Sequence, residues 1–208
     1  MASADAQTME LSISRIEKET ILGIENSSTV TYISKGDLTG MMLHSPSEHT
    51  LNGEMMDAEI QYFYKDTNGK QGALAVFYDL AEGGDVESAL IKSLLSTSAK
   101  ETIKFSAANV NANIWNDKSE WVVYAGSFTT PKNAGVFAEK DTACMEDVTW
   151  AILGEVQPIS AGQQTSLLGL WANNSAFNKV EGNGNNRKVV ENNGRKIFSN
   201  KVMSGSGA

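Results

Sequence analysis

Between Met41 and Tyr64 the chain reads MMLHSPSEHTLNGEMMDAEIQYFY, a stretch that holds both histidines of the protein, His44 and His49. An apolar run ends at His44, and Leu51-Asn52-Gly53 is a hairpin signal, because Asn and Gly accept the positive φ that a two-residue turn demands. The return run alternates, with Glu59, Gln61 and Phe63 on one face and Ile60, Tyr62 and Tyr64 on the other. Two antiparallel strands with opposed faces are therefore expected before any other part of the chain is considered.

His44-Ser45-Pro46-Ser47-Glu48-His49-Thr50, followed by Asn52-Gly53 and Ala58-Glu59-Ile60, resembles the zinc-site hairpin of the α-class carbonic anhydrases. Further matches follow in order. Tyr124-Ala125-Gly126-Ser127-Phe128-Thr129-Thr130-Pro131 is similar to the family's Tyr-x-Gly-Ser-Leu-Thr-Thr-Pro-Pro-Cys, and Val148-Thr149-Trp150 to its Val-x-Trp. Asn185-Asn186-Arg187 and Asn193-Gly194-Arg195 resemble Asn-Asn-Arg-Pro and Asn-Gly-Arg, with Lys188 in place of proline. The likeness covers about residues 26–197. It implies a mainly β (α+β) fold: a large, twisted, mostly antiparallel central sheet with a few short peripheral helices, as one domain over 1–208. Residues 1–25 read as a divergent or shortened N-terminal segment and 204–208 as a flexible tail.

The resemblance implies three metal-ligand positions, and here they read Met42, His44 and Gln61. Zinc is held in proteins by imidazole, thiolate or carboxylate, and its catalytic sites use three such ligands plus water. A thioether and a neutral amide are poor substitutes, so zinc is not expected and no other cofactor is implied. Without the metal nothing lowers the pKa of water from about 15.7 to about 7. The position implied for the proton shuttle is Ser28, which cannot titrate near neutrality. Phe63 and Phe128 stand where the family has smaller residues around its substrate, and Trp150 completes an aromatic set there. The surrounding positions are kept: Glu48 and Thr129 match the pair that orients the metal-bound hydroxide, and Glu59 matches the carboxylate that supports the third ligand.

Bland readings stand beside these. A single histidine without its partner ligands is more often a hydrogen-bonded strand residue than a metal ligand, which favours that reading of His44, and Met42 is better read as a side chain filling the volume of a lost metal site. Met42 beside His44 also invites a soft-metal reading, since thioether and imidazole both suit copper. Glu48 with Thr129 serves either as a relic or as an anchor for a small polar ligand. Gln61 can donate to Glu59 through its amide.

A net charge of -8 and a pI of about 4.8 argue against a phosphate-binding surface, so no nucleic-acid partner is expected. No apolar run approaches the roughly 20 residues of a membrane span. The first residues lack the pattern of a secretory signal, and the single cysteine, Cys144, excludes an internal disulfide, which together point to a soluble protein of the cytoplasm or an organelle interior. Gly72 to Leu80 suits a central buried strand. Thr29 to Ile33 and Trp121 to Tyr124 read as further strands. Leu90, Ile91, Leu94 and Leu95 mark a helix with Asp85 as N-cap, and Ser160 with Gln163 forms a capping box for a helix whose apolar face uses Leu167, Leu168 and Leu170.

Taken together, these features predict a non-catalytic relative of the carbonic anhydrases acting as a structural or protein-interaction module, with a protein partner or larger assembly implied. The insertion from Lys132 to Ala143 would supply contact surface. Two alternatives remain: a divergent metal-dependent hydratase recruiting Glu48 or Glu59 beside His44, and a small-molecule binding or storage protein on the same scaffold.

Overall fold

The computed structural model describes residues 8–9, 19–21, 24–26, 36–66, 68–96, 120–128, 145–172, 184–186, 189 and 193–199. Three short strands come first, β1 (Thr8–Met9), β2 (Glu19–Ile21) and β3 (Ile24–Asn26). The hairpin stretch supplies β4 (Gly36–His44), β5 (Thr50–Leu51), β6 (Glu54–Met55) and β7 (Ala58–Asp66). After β8 (Gln71–Leu80) and helix α1 (Ala89–Ser96) come β9 (Trp121–Phe128), β10 (Met145–Leu153) and β11 (Gln157–Ile159). Helix α2 (Ala161–Ala172) and β12 (Ile197–Ser199) complete the described elements.

Most of the strands join one large sheet in the order β1-β4-β7-β8-β10-β9-β12. Its pairs are antiparallel except at β8, whose outer edge pairs in parallel with β10 over Gly72–Ala75 and with β11 over Tyr78–Leu80. This is the mainly β architecture expected, as a mixed sheet. β8 is buried from Gly72 to Tyr78, as its unbroken apolar run requires. Asn52 and Gly53 both adopt positive φ, 55° and 86°, the geometry of a two-residue turn whose twist matches the β5–β6 strands it joins.

The two faces of the sheet differ. One face packs Ile60, Tyr62, Leu74, Val76, Val123 and Leu153 against Ile91 of α1 and Leu167 of α2. The other carries Ala73, Ala75, Val148 and Trp150, with Phe63, Tyr124 and Phe128 packed against them.

Both described helices start at serine. Ser88 Oγ accepts from the Ile91 amide at 3.3 Å, so Ser88 caps α1 and the exposed Asp85 does not. A serine hydroxyl three residues before a free amide is in capping range, which Asp85 is not. Ser160 and Gln163 form the expected reciprocal cap, at 3.3 and 3.2 Å, and Gln163 also holds both backbone groups of Ser88. On α2 only Leu167 of the three expected leucines is buried; Leu168 and Leu170 are 51% and 46% exposed. The helix touches the sheet along a narrower stripe than three leucines would make. None of the described helices is long and apolar enough to cross a membrane. The strand expected over Thr29 to Ile33, the insertion 132–143, and Ser28, Thr129 and Cys144 lie outside the described residues.

Candidate functional site

Antiparallel pairing of β4 with β7 sets Met42 opposite Gln61 and His44 opposite Glu59. Cross-strand partners share a face, so all four side chains leave the sheet on the side of Phe63, Tyr124 and Trp150. The three positions implied as metal ligands thus come together, with Glu59 beside them.

Glu59 is wholly buried and its two oxygens accept four N–H groups. Oε1 takes His49 Nδ1 and Gln61 Nε2, each at 2.8 Å, and Oε2 takes the amides of Glu48 at 2.9 Å and His49 at 2.8 Å. Burial alone would push this carboxyl up, but the charge and hydrogen bonds of His49, with the bond from Gln61, hold it down at about 2. Burial likewise pulls the His49 imidazolium down, and Glu59, aided by Glu48, overrides it and raises the pKa above 6.5. His49 Nε2 meets the hydroxyl of Tyr124 at 2.7 Å, and its ring stands edge-on to Trp150 with centroids 4.9 Å apart. Gln61 donates to Glu59 as expected, and also to Glu48 Oε2 at 3.2 Å.

His44, 3% exposed, is held from the far end of the chain. Its Nδ1 lies 3.3 Å from the carbonyl oxygen of Asn185 and 3.5 Å from Glu48 Oε1. The Asn185 side chain brackets the histidine, donating to Leu43 O at 2.8 Å and accepting from Ser45 N at 2.9 Å. Gly184 makes this approach possible, because a Cβ there would overlap the Ser45 carbonyl. The Ser45-Pro46 peptide is cis. Phe63 and Phe128 meet edge to face at 4.8 Å, and Phe128 meets Trp150 at 5.8 Å, forming one aromatic wall.

The sequence alone assigns no role to His49 or Tyr124, and to Asn185 only a place in a motif. Each sits inside one of the family-like motifs, which is the signal the sequence offers. Their partners lie far away in sequence, so no local pattern announces the contacts.

A family model for the eukaryotic-type carbonic anhydrases matches residues 37–201. The chain belongs to that family. Among curated relatives, dioscorin DB3L of Dioscorea polystachya is 27% identical over 66% of this chain and 47% of its own length. Alpha carbonic anhydrase 4 of Arabidopsis thaliana is 29% identical over 60% of this chain and 42% of its own. The chain thus spans about half the length, 42–47%, of these relatives. Among solved structures, a dioscorin complexed with ascorbate superposes with a TM-score of 0.58 at 20% identity, over 98% of this chain and 77% of that one. The carbonic anhydrase Cah3 of Chlamydomonas reinhardtii gives 0.57 at 19%, over 79% and 66%. These likenesses establish the fold.

The family implies zinc, and the donors present do not fit it. Met42 offers sulfur, the Gln61 amide nitrogen is committed to two carboxylates, and only His44 brings an imidazole. Among the described residues no three His, Cys, Asp or Glu side chains converge as metal ligands. Of the two carboxylates beside these positions, Glu59 has both oxygens occupied by N–H donors, and Glu48 lies against the protonated side of the His44 ring, at Nδ1.

Proposed function

We propose that this family member is non-catalytic and serves as a binding or structural module. The observation that supports this reading is Gln61: at the position implied for the third ligand stands an amide whose nitrogen is hydrogen-bonded to Glu59 and Glu48. Gln61 does the structural work of an imidazole N–H, holding the buried carboxylate, without offering the metal a ring nitrogen. With Met42 opposite it, hydroxide has no metal on which to form at neutral pH. The polar network then serves stability, and the aromatic wall of Phe63, Phe128 and Trp150 fills the substrate's place.

The test is carbon dioxide hydration by the purified chain after dialysis against zinc, paired with metal content by mass spectrometry. The expected result is no rate above the uncatalysed reaction and no stoichiometric zinc. Stoichiometric zinc with sulfonamide-sensitive turnover would overturn the reading. A module of this kind works through a protein partner or larger assembly, and co-purification from the native source checks that part.

A second reading, small-molecule binding on the same face, is favoured by the similarity to dioscorins, one of which is solved in complex with ascorbate. Native mass spectrometry with ascorbate tests it, a saturable one-to-one adduct being the supporting outcome and its absence the refuting one.

A further inference from the structure

We infer that His44 and Met42 form a binding site for a soft monovalent metal ion of the copper(I) class. The argument begins with the His44 tautomer. Its Nδ1 faces two acceptors, the Asn185 carbonyl at 3.3 Å and Glu48 Oε1 at 3.5 Å, so Nδ1 carries the hydrogen. In the neutral ring of that tautomer Nε2 is a bare lone pair. It is buried and has no hydrogen-bond partner among the described residues. An enclosed acceptor without a partner is costly, and imidazole nitrogen is a strong ligand for soft and borderline metals.

The nitrogen is also held in place. Asn185 grips the backbone on either side of His44, through Leu43 O and Ser45 N, while its own carbonyl fixes the ring. This is the carbonyl-to-histidine support that orients metal-binding imidazoles generally. Met42, two residues earlier on β4, leaves the same face of the strand. The remaining neighbour, Gln61, has its amide nitrogen tied to Glu59 and Glu48. The soft donors on this patch are an imidazole nitrogen and a thioether sulfur, a pair suited to copper(I), beside the harder oxygens of Gln61 and Glu48. The Glu48 carboxylate, its side chain 7% exposed, lies against the His44 ring and supplies negative charge next to a single positive one. The site stands whether or not the chain has hydratase activity, so its failure and that of the non-catalytic reading are separate results.

Silver(I), a redox-inert probe of the same class, tests the site in chloride-free buffer. The chain carries the Cys144→Ser substitution, so that its single thiol does not compete. Calorimetry should give one saturable equivalent, and methyl NMR should show the Met42 resonance shifting as it fills. Met42→Leu and His44→Gln should each weaken binding at least tenfold, about 1.4 kcal/mol. Zinc under the same conditions should not bind saturably. A Met42 methyl that does not move while silver binds overturns the assignment without relying on any variant of the site. So does zinc binding as tight as silver binding, or an affinity unchanged in the folded Met42→Leu chain.

Discussion

Replacing Glu59 by glutamine takes a charge out of the sheet while keeping its shape. In the native protein this carboxyl sits at about 2 against an ordinary 4.5. At about 1.36 kcal/mol per pH unit, that difference corresponds to about 3 kcal/mol of stability at neutral pH. A carboxyl with a lowered folded pKa contributes fully above its unfolded pKa and loses that contribution as the pH falls through its folded value. Glu59's share is therefore intact at pH 7, declines below about 4.5, and is gone near 2. The raised pKa of His49 acts in the other direction, adding stability that is complete below 6.5 and fades as the pH rises through the folded value. Both shifts describe one interaction and are not added together. Glutamine keeps one acceptor oxygen, so two of the four N–H groups that Glu59 accepts would face an NH2. With two N–H groups left without an acceptor and the carboxylate charge gone, Glu59→Gln should lose about 3 kcal/mol at pH 7. Urea unfolding followed by tryptophan fluorescence measures this, since Trp150 contacts His49 directly. The gap between the two proteins should narrow as the pH is stepped from 5 to 3. A gap below about 1 kcal/mol at pH 7, or one that stays constant on acidification, would refute the buried, ionised Glu59.

Tyr124→Phe removes the hydroxyl at His49 Nε2 and should destabilise the protein by about 1–2 kcal/mol in the same unfolding assay, with the effect absent in a His49→Gln background. Gly184→Ala drives a methyl into the Ser45 carbonyl and should cost about 2 kcal/mol, read as a melting temperature lowered by roughly 4–8 °C. The double substitution Met42→His with Gln61→His rebuilds a three-imidazole set across the β4–β7 pair. It should retain about one zinc per chain after dialysis, by mass spectrometry, where the native chain should retain none; no uptake would mean that the register does not bring these positions together.

The strand pairs and the turn between β5 and β6 are legible in the sequence because their causes are local. Asn52 and Gly53 tolerate the φ values the turn demands, the period of two over Glu59 to Phe63 reports the faces, and the run from Gly72 to Tyr78 reports burial on both sides. The β4–β7 register sets Met42 opposite Gln61, with His44 two residues along the same face. What stays hidden depends on distant partners. The function of His49 emerges only when Tyr124, 75 positions away, arrives at its ring, and the orientation of His44 depends on Asn185, 141 positions away. Leu168 and Leu170 show the reverse error: helical spacing promises a wide apolar face, yet how much of it is covered depends on where the helix sits on the sheet. Asp85 was one turn too early because several residues near Ser88 could cap, and the bond to Ile91 decides among them.

The split outer edge of β8 bears on how the protein is made. Strands β4, β7 and β8 form a meander from nearby segments and can pair as soon as they leave the ribosome. The other edge of β8, along Gly72–Ala75 and Tyr78–Leu80, waits for β10 and β11, which are translated far later. Until then a long apolar strand presents unsatisfied backbone groups to any neighbour, a template for pairing between nascent chains. The parallel pairing that completes the sheet is thus also its most exposed moment. Slowed translation between β8 and β10 should raise aggregation more than the same pause placed after β11.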